Sequence, residues 1–209
     1  MGGAPARIVG TIPQQDIDFN SLALAALDRA LHMELPAFID IEASAIGPGS
    51  YPIEVGFILG DGALFCTLIK PAQDWNLWDP AAEKTHGVPR EALYMFGRSV
   101  AEVAEALNHR LRGRTLYTDA WGNDCAWMAL LFECAGVRQR FQLESLRSLL
   151  SEEQAGLWHP VKERVIAELG LQRHRASSDA RVLQMTYART REIATLTMEA
   201  SSIPPARLC

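Results

Sequence analysis

The apolar and polar positions of this chain change period along its length, and each change marks an element. Leu22, Leu24, Leu27 and Leu31 recur at near-helical spacing within residues 21–32, and Pro36 follows. That pattern predicts a short helix closed by the proline. Residues 37–43, Ala-Phe-Ile-Asp-Ile-Glu-Ala, are rich in β-branched and aromatic types with polar positions two apart, the pattern of a strand. Residues 53–59 and 63–69 read as two further strands, joined by the hairpin signal Gly60-Asp61-Gly62. The three make an antiparallel meander. Residues 71–89 read as loop. Residues 99–112 read as a helix with Val100, Val103, Ala104 and Leu107 on one face, and Ser99 and Glu102 have capping-box spacing. A fourth strand is predicted over 115–118, and helices over 123–134, 143–150, 161–169 and 178–190. Residues 1–15 read as a mobile arm, 16–195 as a single domain and 196–209 as a flexible tail, with no internal repeat. The order βββαβα followed by helices predicts an α/β fold with a mixed sheet.

Composition narrows the class. The chain has 209 residues, 48% of them apolar and 22% charged, typical of a globular domain. No apolar run approaches the roughly 18 residues of a membrane span, and Met1 to Arg7 lacks the apolar block of a signal peptide. A soluble cytoplasmic protein with no membrane partner is the expectation. Cys66, Cys125, Cys134 and Cys209 have no CxxC or Cys/His spacing of a zinc site. The first three lie among apolar residues and are expected as buried free thiols. The net charge of −5 argues against a long duplex footprint, which needs a basic surface. It does not exclude a short single strand.

Chemistry enters at Asp40 and Glu42. Alternate side chains of a strand share a face, so these two carboxylates point the same way out of an apolar run. Neighbouring carboxylates on a half-buried strand repel one another unless a cation lies between them. Hard divalent ions are bound by such oxygen pairs. Asp124 and Asp179 each fall at a predicted helix start, where the macrodipole favours the charged form. His174 precedes Asp179 by five residues in a basic loop with Arg173 and Arg175.

Asp40-x-Glu42, an acid after the fourth strand, and His174 five residues before Asp179 together resemble the DEDDh family of 3′–5′ exonucleases. The likeness covers roughly residues 36–191 and includes Pro52-Ile53-Glu54-Val55-Gly56, Thr85-His86-Gly87-Val88 and Gly97-Arg98-Ser99-Val100. The resemblance implies a ribonuclease H-like mixed five-stranded sheet flanked by helices. It implies two Mg²⁺ or Mn²⁺ ions held by Asp40, Glu42, Asp124 and Asp179, with His174 as general base. The implied substrate is the 3′ end of single-stranded DNA or short RNA, and the relatives include monomers and homodimers. Two ions of this kind can stabilise both the attacking and the leaving oxygen of a phosphodiester.

Further positions are expected around the strand. Ala43 and Ser44 stand where the family usually has a Thr pair that meets the terminal nucleotide. His86 is read as a turn residue lining the nucleotide pocket, and Arg175 as a phosphate contact. Trp121, Trp75 and Trp78 are candidate base-stacking platforms, whereas Trp127 reads as core. Asp119 occupies the family's usual His position and is an alternative ligand to Asp124. These departures leave open a second reading, a catalytically weak nucleic-acid-binding or protein-interaction module on the same fold.

Overall fold

Ala37–Ala43 form β1, the middle strand of a five-stranded sheet. The fold is a computed structural model that describes residues 35–201. The expected arm at 1–15, the helix at 21–32, Cys209 and residues 202–209 lie outside the described residues. β2 (Pro52–Ile58) pairs antiparallel with β1, and β3 (Leu64–Leu68) antiparallel with β2. β4 (Thr115–Thr118) and β5 (Gln142–Ser145) extend the sheet in parallel. Helices are α1 (Pro80–His86), α2 (Arg90–Phe96), α3 (Val100–Leu111), α4 (Trp121–Ala135), α5 (Glu152–Leu169) and α6 (Ala176–Ser201). This is the mixed five-stranded α/β architecture that the sequence leads one to expect.

The alternation of β1 divides the molecule. Ile39, Ile41 and Ala43 point into the larger core with Leu107, Leu111, Met128 and Leu131 from α3 and α4. Phe38 points to the other face, where Ala180, Leu183 and Tyr187 of α6 cover it. Asp40 and Glu42 continue the Phe38 side and therefore approach the beginning of α6. Their partners across β2 are Gly56 and Glu54.

Several elements depart from the pattern. Residues 143–150 are β5 and a short 3-10 turn, Leu146–Ser148, and not a helix. Four residues are too short for a period to tell a strand from a helix. The segment read as loop contains α1, which starts at Asp79-Pro80, where Asp79 Oδ1 accepts the Ala81 N–H, and ends at Gly87 at φ 68°. α2 follows it. α5 begins at Glu152, with a Ser151–Gln154 capping box, and runs through Pro160. The proline is exposed, and it removes the hydrogen bond to the residue four before it while its ring crowds that residue's carbonyl. α6 continues past Thr190 through residues 196–201, a stretch the pattern assigned to the tail. Cys66 and Cys134 are exposed, which corrects the expectation of buried thiols. Cys134 lies on an exposed position of α4, whereas Cys66 shares the face of Glu54 and its thiol donates to Glu54 Oε1 at 3.3 Å.

Candidate active site

The C-terminal half of β1 opens into a cleft of about 190 Å³. Asp40 and Glu42 form its floor, α6 supplies Asp179 and the preceding loop supplies Arg173 and His174. Asp119, after β4, and Lys162 of α5 close another side. Ligand atoms of Glu42, His174 and Asp179 lie within 4.8 Å of one another, a spacing that a single cation can bridge.

Burial and mutual repulsion dominate the electrostatics. Asp40 is pushed well above the usual carboxylate range, first by burial and then by the charges of Asp124, Glu42, Asp179 and Asp119. Glu42 rises to about 7, by burial and by Asp179, Glu54 and Asp124, against a smaller lowering by Arg175. Asp124 also rises to about 7; burial is the main cause, and the Thr118 hydroxyl bond to Oδ2 opposes it. Its Oδ1 is buried with no partner. Crowded carboxylates, one with an orphaned oxygen, fit a divalent cation, whose charge would remove the repulsion. Asp179 is answered differently. Arg173 Nε donates to Oδ1 at 3.0 Å and the His174 N–H donates to Oδ2 at 2.9 Å. His174 has φ 58°, rare for a residue with a side chain.

The structure brings Asp40, Glu42, His174 and Asp179 to one cleft. Asp124 lies behind it, 1% exposed, at the start of α4. Asp119 faces the cleft, and Lys162 Nζ donates to its Oδ2 at 2.6 Å. Ala43 and Ser44 are buried. The Ser44 N–H donates to the Tyr51 carbonyl, and its Oγ accepts the Tyr51 N–H at 3.2 Å. His86 ends α1 with Nδ1 accepting the Val88 N–H and its ring edge-on to Trp78. Burial lowers its pKa. Trp121 is 46% exposed, its indole N–H donating to the Leu143 carbonyl. Trp127 is core, as expected. Trp75 is core as well, stacked on Tyr51 with centroids 5.3 Å apart, which removes it as a stacking platform. Arg175 gives Nε and Nη2 to Glu54. Lys162 carried no functional signal in the sequence, and Glu54 entered only within the Pro52–Gly56 pattern, with no role of its own attached.

No protein-family model and no curated relative matches the chain. Solved structures do. E. coli exonuclease I in a zinc-bound complex with single-stranded DNA superposes with a TM-score of 0.60 at 15% identity, over 77% of this chain and 41% of that one. E. coli exonuclease I in complex with a dT13 oligonucleotide gives 0.56 at 15% identity, over 74% and 40%. A moderately thermophilic exonuclease I from Methylocaldum szegediense gives 0.60 at 16%, over 75% and 40%. The chain spans about two fifths of the length of these proteins. The likeness is one of fold. This chain has the ribonuclease H-like α/β fold that they share. Among the described residues, no helix is long and apolar enough to cross a membrane.

Proposed function

We propose that this protein is a divalent-metal-dependent 3′–5′ exonuclease that acts on single-stranded DNA or short RNA. The observation that carries the reading is the meeting of Asp40, Glu42, Asp179 and His174 in one cleft on a fold shared with exonuclease I. The single-stranded oligonucleotides bound by those proteins favour a single strand here, and the net charge of −5 argues against long duplexes.

In this reading Asp40, Glu42, Asp124 and Asp179 hold two Mg²⁺ or Mn²⁺ ions. Bound there, such ions lower the pKa of a water and stabilise charge on the phosphodiester oxygens. Asp40 and Glu42 supply oxygens from a rigid strand, which keeps their separation constant through turnover. Asp124 contributes its unpartnered Oδ1, while Thr118 fixes the other oxygen. His174 takes the proton of the attacking water, a task that suits an imidazole near neutral pH. Lys162, paired with Asp119 at the cleft wall, offers a cation to the approaching phosphates.

The test is release of mononucleotides from 3′-end-extended DNA and RNA oligomers in Mn²⁺ or Mg²⁺. A 3′-phosphate cap should block it. Asp40→Asn should lower the rate by at least about 10³-fold, as expected when a ligand of a catalytic metal is lost. Binding of the oligomer without any degradation by the wild type would favour the non-catalytic module instead.

A further inference from the structure

Glu54 is fully buried on β2, directly opposite Glu42 of β1. Two acids facing each other across antiparallel strands repel, and a buried carboxylate needs a partner. Here the partner comes from the other side of the cleft. Arg175 shares Nε between both Glu54 oxygens at 3.1 Å and donates Nη2 to Oε1 at 2.6 Å. The Ala176 N–H donates to Oε2 at 3.0 Å, so Glu54 also satisfies a free N–H at the start of α6. One buried side chain thus grips the residue after His174 and the first residue of the helix that bears Asp179.

A second contact seats the same turn. Gly56 stands opposite Asp40, and a Cβ there would fall 2.2 Å from the Ser177 nitrogen and 2.4 Å from the Ala176 carbonyl carbon. The helix start therefore rests on bare strand backbone. Ionic grip and steric seat lie two residues apart on β2, on the face that carries Asp40 and Glu42 on β1. His174, next to Arg175, holds a left-handed backbone conformation, which persists only when its surroundings over-determine it.

We propose that Glu54 is a positioning residue of the candidate active site. Through Arg175 and the Ala176 N–H it holds residues 173–179 so that His174 and Asp179 face Asp40 and Glu42. Its consequence for turnover rests on the exonuclease reading; its consequence for the geometry of the segment does not. Glu54 touches no reacting atom, so it acts on the rate of the bound complex and not on capture of the strand.

The experiment compares wild type, Glu54→Gln and Glu54→Asp, each alone and combined with His174→Ala, by amide hydrogen exchange and by steady-state kinetics in Mn²⁺. In Glu54→Gln, amides of residues 173–179 should exchange about tenfold faster or more while β1 and β4 keep their protection. kcat should fall by about 10- to 100-fold, the scale expected when a catalytic group is misplaced. KM should move by less than about threefold, since uniform binding is untouched. Glu54→Asp should recover part of kcat. In the His174→Ala background the Glu54→Gln step should cost several-fold less than in the wild-type background, because only the share exerted through Asp179 remains. Unchanged exchange at 173–179, faster exchange across the whole sheet, or a raised KM with kcat intact would overturn the proposal. A wild type that releases no nucleotide would sink the exonuclease reading alone, and the exchange data would still decide the positioning role.

Discussion

Glu42 shows how much a single position in this cleft opposes the fold. Its carboxyl has a pKa raised from 4.5 to about 7 by burial and by neighbouring acids, so the folded state holds a proton that the unfolded chain has released. Stability from that proton is fully present below about pH 4.5, the unfolded value, and is lost as pH rises through about 7. Glu42→Gln removes the titration while keeping the shape. In metal-free buffer the variant should therefore be more stable than the wild type at pH 8, by on the order of 1–3 kcal/mol, with the gap shrinking toward pH 5. Denaturant melts at the two pH values measure it; a gap independent of pH would contradict the picture. Asp124 shows the same tension, with one oxygen tied to Thr118 and the other unpartnered. Asp119, the rival ligand on spacing, is paired with Lys162, so its charge is already answered within the protein.

At the scale of elements, the first turn of α6 and the middle of β2 make one unit. The sequence-level resemblance included Pro52-Ile53-Glu54-Val55-Gly56 as a pattern, but the reason for the glycine appears only when α6 is laid on it. Gly56→Ala would drive a methyl into backbone atoms of Ala176 and Ser177, which cannot move aside as a flexible side chain would. The variant should lose about 1–3 kcal/mol, the scale of overpacking, and should lose activity beyond that loss of stability. Activity measured well below its melting temperature checks this. Nearby, α5 depends on its Ser151 cap. Ser151→Ala should cost about 1 kcal/mol without altering turnover, since the cap is remote from the carboxylates. Together the two variants separate a helix that builds the cleft from one that supports it.

The whole molecule is acidic, with a net charge of −5, and it gathers part of that charge in one cleft. A ligand that binds only the folded state stabilises it by mass action. Saturating Mn²⁺ should raise the melting temperature by roughly 5–10 °C, taking a free concentration about 100 times Kd and the usual response of a domain this size. The increment should be larger at pH 8 than at pH 6, because Glu42 and Asp124, each at about 7, must lose protons to bind metal. Chelator should reverse it. Calorimetric scans with and without Mn²⁺ at both pH values decide the point; an equal increment at pH 6 and pH 8 would argue that metal binds elsewhere.

Much of this was legible in one dimension. The period-two run at residues 37–43 gave the central strand and aimed Asp40 and Glu42 at a common face, because strand geometry leaves them no alternative. Ser99 and Glu102 marked the start of α3, a local signal that the structure repeats as hydrogen bonds. Short elements were not legible: β5 and α2 are too brief for a period to emerge and exist because β4 and the core receive them. The partners of the cleft were hidden for a related reason. Glu54 and Arg175 are 121 residues apart, and Asp119 and Lys162 are 43 apart. Composition and spacing carry no information on such pairs. The residues themselves thus determined which acids and bases the chain carries and on which strand face two of them stand, whereas the packing of α6 and α5 on the sheet decided which charges meet.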